Sequence, residues 1–259
     1  MKRFIVMFVG GFAGLLLLAS AALAKCESDS VQVGPVCVDK YEASVWQTTD
    51  AALIKKIKKG TATLAGLTAG GTQRGIGATD DYPCSDNGND CDEIFAVSIP
   101  GVKPSANITW FQAQQACMNS GKRLLTNAEW QGAAAGTPDP GTDNDSTDCN
   151  ITDDGFPAND PVNTGSRSSC VSRWGAFDMV GNLWEWVADW VPRASTCGNW
   201  AAGFGSDVSC MDGAAGDDLP GALFRGGNFD SGANAGVFAV NGFFQPSLSL
   251  ANVGFRCGR

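Results

Sequence analysis

Histidine is absent from all 259 residues. Without imidazole the chain has no Ser-His-Asp or Cys-His nucleophile, no two-His iron site and no His-ligated zinc. Charged side chains are sparse, at 17% of residues, and acids prevail, giving a formal charge of −9. An acidic chain of this kind is repelled by nucleic acid and by anionic membrane surfaces. After residue 24 no stretch approaches the ~18 apolar residues that read as a membrane span. Neither nucleic acid nor stable membrane insertion is therefore expected.

The one long apolar run opens the chain. "MKRFIVMFVGGFAGLLLLASAALA" has Lys2 and Arg3, an apolar stretch and an Ala-Leu-Ala exit, the pattern of a secretory signal peptide over residues 1–24. Lys25, just before Cys26, occupies the slot where a lipoprotein has a small residue. The expected location is secreted, periplasmic or cell-surface. Residues 25–259 carry a formal charge of −11 and all ten cysteines. An even cysteine count in an oxidising compartment reads as a set of disulfides rather than as metal ligands.

"CESDSVQVGPVCVDKYEASVWQ" places Cys26 and Cys37 around a Gly-Pro turn with alternating Val36, Val38 and Tyr41, a hairpin clipped by a disulfide. Residues 48–82 are rich in Thr, Gly and Ala and read as a surface insertion, with the basic cluster Lys55 to Lys59 on its outside. Cys84 and Cys91 close a small loop. Trp110, Ala113, Ala116 and Cys117 recur at helical spacing, Gly121 stops that helix, and Thr126 with Glu129 forms a capping box for the next. Residues 136–165 are loop. With no repeat and no second hydrophobic core in view, residues 25–259 read as one loop-rich α+β domain.

The order "VCVDKYEASVW", "NITWFQAQQAC", "GKRLLTNAEW", "GAFDMVGNLWEWVADW", "FRGGNF" and "NVGFRC" resembles the formylglycine-generating enzyme (sulfatase-modifying factor) family across nearly all of residues 25–259. The resemblance implies a C-type lectin-like fold, sparse in secondary structure, with the two chain ends in one sheet. It implies calcium held by Asp178, Gly181, Leu183 and Glu185, and a second site near Asn150, Ile151 and Asp153. Carboxylates and carbonyls wrapped around a Gly-Asn turn suit a hard cation. It also implies a disulfide between Cys117 and Cys257. The other expected pairs are Cys26 with Cys37, Cys84 with Cys91, Cys149 with Cys170 and Cys197 with Cys210.

Active members of that family bind copper with a cysteine pair on the segment after "RGG", since cuprous ion needs soft thiolates. Here Ser231 and Gly236, or near neighbours, stand at those positions, so no copper is expected. Arg123 and Glu129 read as a buried ion pair tying two helices rather than a catalytic pair. Trp184 and Trp186 read as core rather than a ligand platform.

The tail, residues 223–259, resembles the variable region of the proteins targeted by diversity-generating retroelements, which share this lectin-like fold and line one binding face with diversified side chains. The frame is "RGG", "AGVFAVN", "PS" and "NVGFR". Asp230, Ser231, Phe243, Phe244, Leu248, Leu250, Ala251 and Asn252 fill slots where that pattern carries asparagine, beside Asn228 and Phe229. The competing reading makes the Phe and Leu residues core. Adjacent Phe243 and Phe244 would point to opposite faces of a strand, so at least one needs another home. The expectation is an exported, non-catalytic recognition protein for a protein or glycan ligand, with Asp230, Ser231, Phe243, Phe244, Leu248 and Leu250 forming one solvent-facing patch. The alternatives are an oxidase of the family type and an envelope structural protein.

Overall fold

The computed structural model describes residues 25–77, 79–139, 143–151, 160–200, 205–213 and 219–259. The expected signal peptide, residues 1–24, and the candidate ligand Asp153 lie outside them.

Strands β1 (Ser30–Val33) and β2 (Val36–Asp39) form the hairpin expected around Gly34-Pro35. Gly34 has φ +58, the left-handed conformation that glycine adopts without strain. Strand β3 (Ser44–Gln47) follows, then helices α1 (Ala51–Lys58) and α2 (Leu64–Gly70) and strands β4 (Thr72–Arg74) and β5 (Ile94–Val97). Next come α3 (Trp110–Asn119), β6 (Arg123–Leu124) and α4 (Asn127–Ala134). The remaining strands are β7 (Trp184–Val191), β8 (Thr196–Asn199), β9 (Val208–Asp212), β10 (Gly221–Arg225), β11 (Val240–Asn241), β12 (Val253–Phe255) and β13 (Cys257–Gly258).

One sheet runs β1-β2-β13-β6, so the tail's last strand pairs with the first hairpin, the closure that the family resemblance implies. A second sheet runs β12-β7-β10-β11-β9-β8 and a third β4-β3-β5. In the second, Trp186 lies between Phe224 and Phe255 in register. Trp186, Phe224 and Phe255 are each at most 1% exposed, and Trp184 packs edge-on against Phe224 at 4.9 Å. The two tryptophans are core. The same five disulfides form as were expected, and among the described residues no cysteine is free.

Residues 48–82 depart from the expected plain surface insertion. Leu53 and Ile57, four apart on α1, and Leu67 on α2 pack with Trp46, Phe95 and Val97 into a small core of their own. Asp50 caps α1 by accepting from the N–H groups of Ala52 and Leu53. The lysines of "KKIKK" leave Ile57 1% exposed at their centre. Its Thr/Gly-rich flanks hid this i, i+4 apolar pair.

Both capping boxes exist: Thr109 with Gln112 on α3, and Thr126 with Glu129 on α4. Arg123 meets Glu129 through two contacts of 2.7 Å, but the arginine side chain is 42% exposed and joins β6 to α4. The pair is therefore neither buried nor between two helices, because Arg123 sits in a short strand at the sheet's edge. The deeply buried ion pairs lie elsewhere: Lys122 bridges Asp29 (2.9 Å) and Asp39 (2.8 Å) beneath the first hairpin.

Candidate functional site

Strand β10 delivers the chain to Gly226 and Gly227, with φ +93 and +84. A Cβ on Gly227 would lie 2.5 Å from that of Ala235, so this turn admits only glycine. Beyond it residues 228–234 form a tight turn. The Asn228 N–H donates to Ser231 Oγ (3.0 Å), the Ser231 hydroxyl donates back to Asn228 Oδ1, and the Gly232 N–H donates to the Ile151 carbonyl (2.6 Å). Asn228, 4% exposed, thus holds the turn instead of meeting a ligand. Asp230 is exposed, while Phe229 and Ser231 are half-buried.

The other slots sit on residues 243–252, a loop anchored to the start of α3. Pro246 accepts from the Trp110 N–H (3.0 Å) and Leu250 from the Asn107 N–H (2.9 Å). Phe244 turns inward and stacks on Phe224 at 5.8 Å, and Leu250 packs against the same core. Phe243 packs edge-on against the Phe244 ring at 5.2 Å and lies under the Arg193 guanidinium at 5.6 Å, so the two neighbours do not point to opposite faces of a strand. Leu248 and Asn252 are half-buried and Ala251 is exposed. One solvent-facing patch of all six residues is therefore not what forms. The slots divide between two separately anchored segments, and Phe244 and Leu250 each give one side to the core.

Gly236, at or near which the family resemblance puts the second thiol, has no room for a side chain. A Cβ on Gly236 would lie 2.1 Å from Asp207 Oδ1, so a cysteine there would collide with that carboxylate. Asp207 is 0% exposed, accepts from the Phe238 N–H (2.7 Å), and has Oδ1 without a hydrogen-bond partner among the described residues. Burial pushes its pKa up to about 7, and the Asp139 carboxylate beside it adds to the rise. With every described cysteine in a disulfide, the donor set for cuprous ion is missing and copper does not fit.

The calcium candidates occupy a buried anionic cluster. Glu42, Asp178 and Glu185 are 0%, 2% and 1% exposed. Arg256 faces Glu185 at 2.6 Å, and Trp130 Nε1 donates to the same carboxylate at 2.7 Å. Glu42 accepts from the Leu183 N–H (3.0 Å) and from the Asn182 amide. Asp178, at φ +57, accepts from the Gly165 N–H (2.7 Å). Burial pushes Asp178 up to about 7 and Glu42 well above the usual carboxylate range, and the neighbouring carboxylates add to both. Glu185 is thus engaged by arginine and tryptophan, so a cation would share its carboxylate with them beside Asp178 and the Gly181 and Leu183 carbonyls. Among the described residues no three acidic or cysteine side chains converge as a metal site. At the second candidate site, Asn150 is 6% exposed, its amide donates to Asn182 Oδ1 (3.1 Å) and its carbonyl accepts from the Asn182 N–H (2.8 Å). Ile151 is fully buried.

Glu42, Asp207 and Arg256 were not singled out from sequence, since their partners lie far off in the chain: 141 residues separate Glu42 from Leu183. The only local signal was the "GFR" motif around Arg256.

Fold and site together define a disulfide-stapled, C-type lectin-like α+β scaffold whose thiol positions are not thiols. The chain belongs to the sulfatase-modifying factor enzyme 1-like domain family, whose pattern matches residues 32–259. It is 28% identical over 174 residues to a formylglycine-generating enzyme of Thermomonospora curvata, covering 60% of this chain and 54% of that protein. Against the formylglycine-generating enzyme of Streptomyces coelicolor it is 27% identical over 171 residues, covering 60% and 52%. The chain spans about half the length of these relatives. Among solved structures, the I1 variant of Major Tropism Determinant superposes with a TM-score of 0.50 at 18% identity, over 89% of this chain and 52% of that one. That likeness shows the fold alone.

Proposed function

We propose that this protein is an exported, non-catalytic recognition protein whose ligand, a protein or a glycan, is selected by the exposed parts of the two tail loops. The observation that carries this reading is that every described cysteine is paired, and it is supported by the Asp207 carboxylate crowding Gly236, at or near which the family resemblance puts the second thiol. Export is supported by the five disulfides, which persist in oxidising compartments, and by the leader-like start. Among the described residues no helix is long and apolar enough to cross a membrane. The reading rests on a rigid frame that displays Asp230, Phe243, Leu248 and Ala251 without needing them for its core.

The test is incubation of purified protein with copper, oxygen and a sulfatase-type cysteine peptide, followed by mass spectrometry. No formylglycine is expected. Oxygen-dependent conversion would reinstate the oxidase reading, which is the activity printed in the relatives' names.

We further propose that calcium binds at Asp178 with the Gly181 and Leu183 carbonyls and stabilises the fold. Three buried carboxylates lie around Arg256 there, with Arg167 also acting on Asp178, and a hard dication would offset the negative charge whose burial and mutual repulsion raise the pKa values of Glu42 and Asp178. With calcium at ~100 times its dissociation constant the linkage gain is about 2.7 kcal/mol. Chelation should lower Tm in the parent and leave Asp178→Asn unchanged; an unmoved parent Tm would rule the site out.

A further inference from the structure

A half-open cleft of about 520 Å³ lies between α4 and the sheet strands β9, β10 and β11, within the size range of small-molecule sites. Its apolar walls are Trp200, Met211, Leu223, Phe238 and Val240. Trp200 and Met211 are 42% and 38% exposed, so the apolar wall opens to solvent.

Asn127, Gln131, Ser209 and Arg225 supply the polar side of the cleft. Arg225 is 4% exposed and lies over the Trp130 ring at 4.7 Å. It donates to Ala239 O (2.9 Å), Val237 O (3.1 Å), Asn127 Oδ1 (2.5 Å) and Gln131 Oε1. These four partners are neutral and take four of the five N–H groups of a guanidinium. Asp207, the carboxylate whose field it feels, is turned to the Phe238 N–H instead. Burial draws the Arg225 pKa down to about 10, although the Asp207 carboxylate nearby acts to raise it.

The arginine also orients its neighbours. Because Asn127 and Gln131 give their amide oxygens to the guanidinium, their NH2 groups point away from it. Asn127 and Gln131 are four apart on α4, hence on one helix face. The cleft therefore combines a desolvated positive charge, two fixed amide donors and an apolar wall. Asp189 accepts the Asn127 backbone N–H at 2.6 Å, but it is not part of the cleft's lining.

We infer that this cleft binds a small organic acid: an apolar body seated on Trp200 and Met211, with one carboxylate held by the Asn127 and Gln131 amides beside Arg225. The inference goes beyond the recognition reading, since no lining residue is one of the tail slots. A buried cation whose four hydrogen-bond partners are all neutral, with Asp207 turned to another donor, is improved by an anion at its open side, whereas a neutral ligand gains the apolar contact alone.

The experiment is calorimetric titration of the full chain with 3-phenylpropanoate and with its neutral amide. The acid should bind saturably and roughly tenfold or more tighter than the amide, as removal of a like-sized charge interaction implies. Gln131→Glu gives Arg225 a carboxylate of its own. It should leave Tm equal or higher and abolish the preference for the acid. Met211→Ala should weaken acid and amide by a similar factor. Equal affinity for acid and amide, or no saturable binding of either, would overturn the inference on the unaltered protein. Retention of the acid preference in folded Gln131→Glu would overturn the role given to Arg225.

Discussion

The loop 243–252 and the strands 253–258 are neighbours in the chain and opposites in the fold. Every residue from Val253 to Gly258 is buried, and Cys257 is tied to α3 by a disulfide. In the loop only Pro246 is buried, and the remaining side chains are half-buried or exposed save at Asn241 and Gly242 just before it. The strands contribute Phe255 to the aromatic core and Arg256 to Glu185, contacts that no other segment replaces. The loop contributes backbone carbonyls to Trp110 and Asn107 and leaves its side chains half-buried, with Ser247 and Ala251 exposed and Pro246 buried. Such a division lets one segment vary while the adjoining one holds the fold.

Removing the covalent tie should break that comparison most. The Cys117–Cys257 bridge closes 140 residues, and Cys84–Cys91 closes 7. Chain entropy sets the loss for Cys117→Ala with Cys257→Ala at about 5 kcal/mol, against roughly 2.4 kcal/mol for the small loop. Denaturant melts of the two double variants measure the gap. Equal losses would mean that the terminal strand does not depend on its tie to α3.

A second effect belongs to Asp207. Its folded pKa of about 7 lies above its ordinary 3.8, so the stability from the protonated form is complete below pH 4 and is lost as pH rises through 7. Asp139 and Arg225 are the charged groups that face it. Asn cannot ionise, so Asp207→Asn should gain on the parent between pH 4 and 7 by at most ~1.4 kcal/mol per pH unit. Parallel pH profiles of Tm for the two proteins would contradict the buried carboxyl.

Much of this division was legible in the sequence. The Gly-Pro hairpin, the Thr126–Glu129 cap and the cysteine pairs each rest on short-range chemistry or on the family resemblance. The strand expected at Phe243 and Phe244 does not form: both lie in a loop and their rings meet edge-on at 5.2 Å. What was not legible depends on residues far apart in the chain. Asn228 reads as an exposed slot until Ser231 is seen to fold back on it. Arg225 reads as frame until Asn127, 98 residues earlier, is brought to it. Asp207 sits in an acidic, Gly-rich stretch that gives no sign of reaching the space over Gly236.

The smallest expected effect is also the most direct test. A combined variant, Asp230→Asn, Phe243→Ser, Leu248→Asn and Ala251→Ser, alters two exposed and two half-buried side chains outside the core clusters, at about 0.5 kcal/mol each and roughly 2 kcal/mol in sum. Phe255→Ala, in the buried strand, should cost about 3 to 5 kcal/mol. In thermal melts the combined variant should stay within about 8 °C of the parent, since 1 kcal/mol shifts a chain of this size by roughly 2–4 °C. Phe255→Ala should fall clearly further. If the four-site variant melts as low as Phe255→Ala, the loops are part of the core and the recognition reading loses its physical basis.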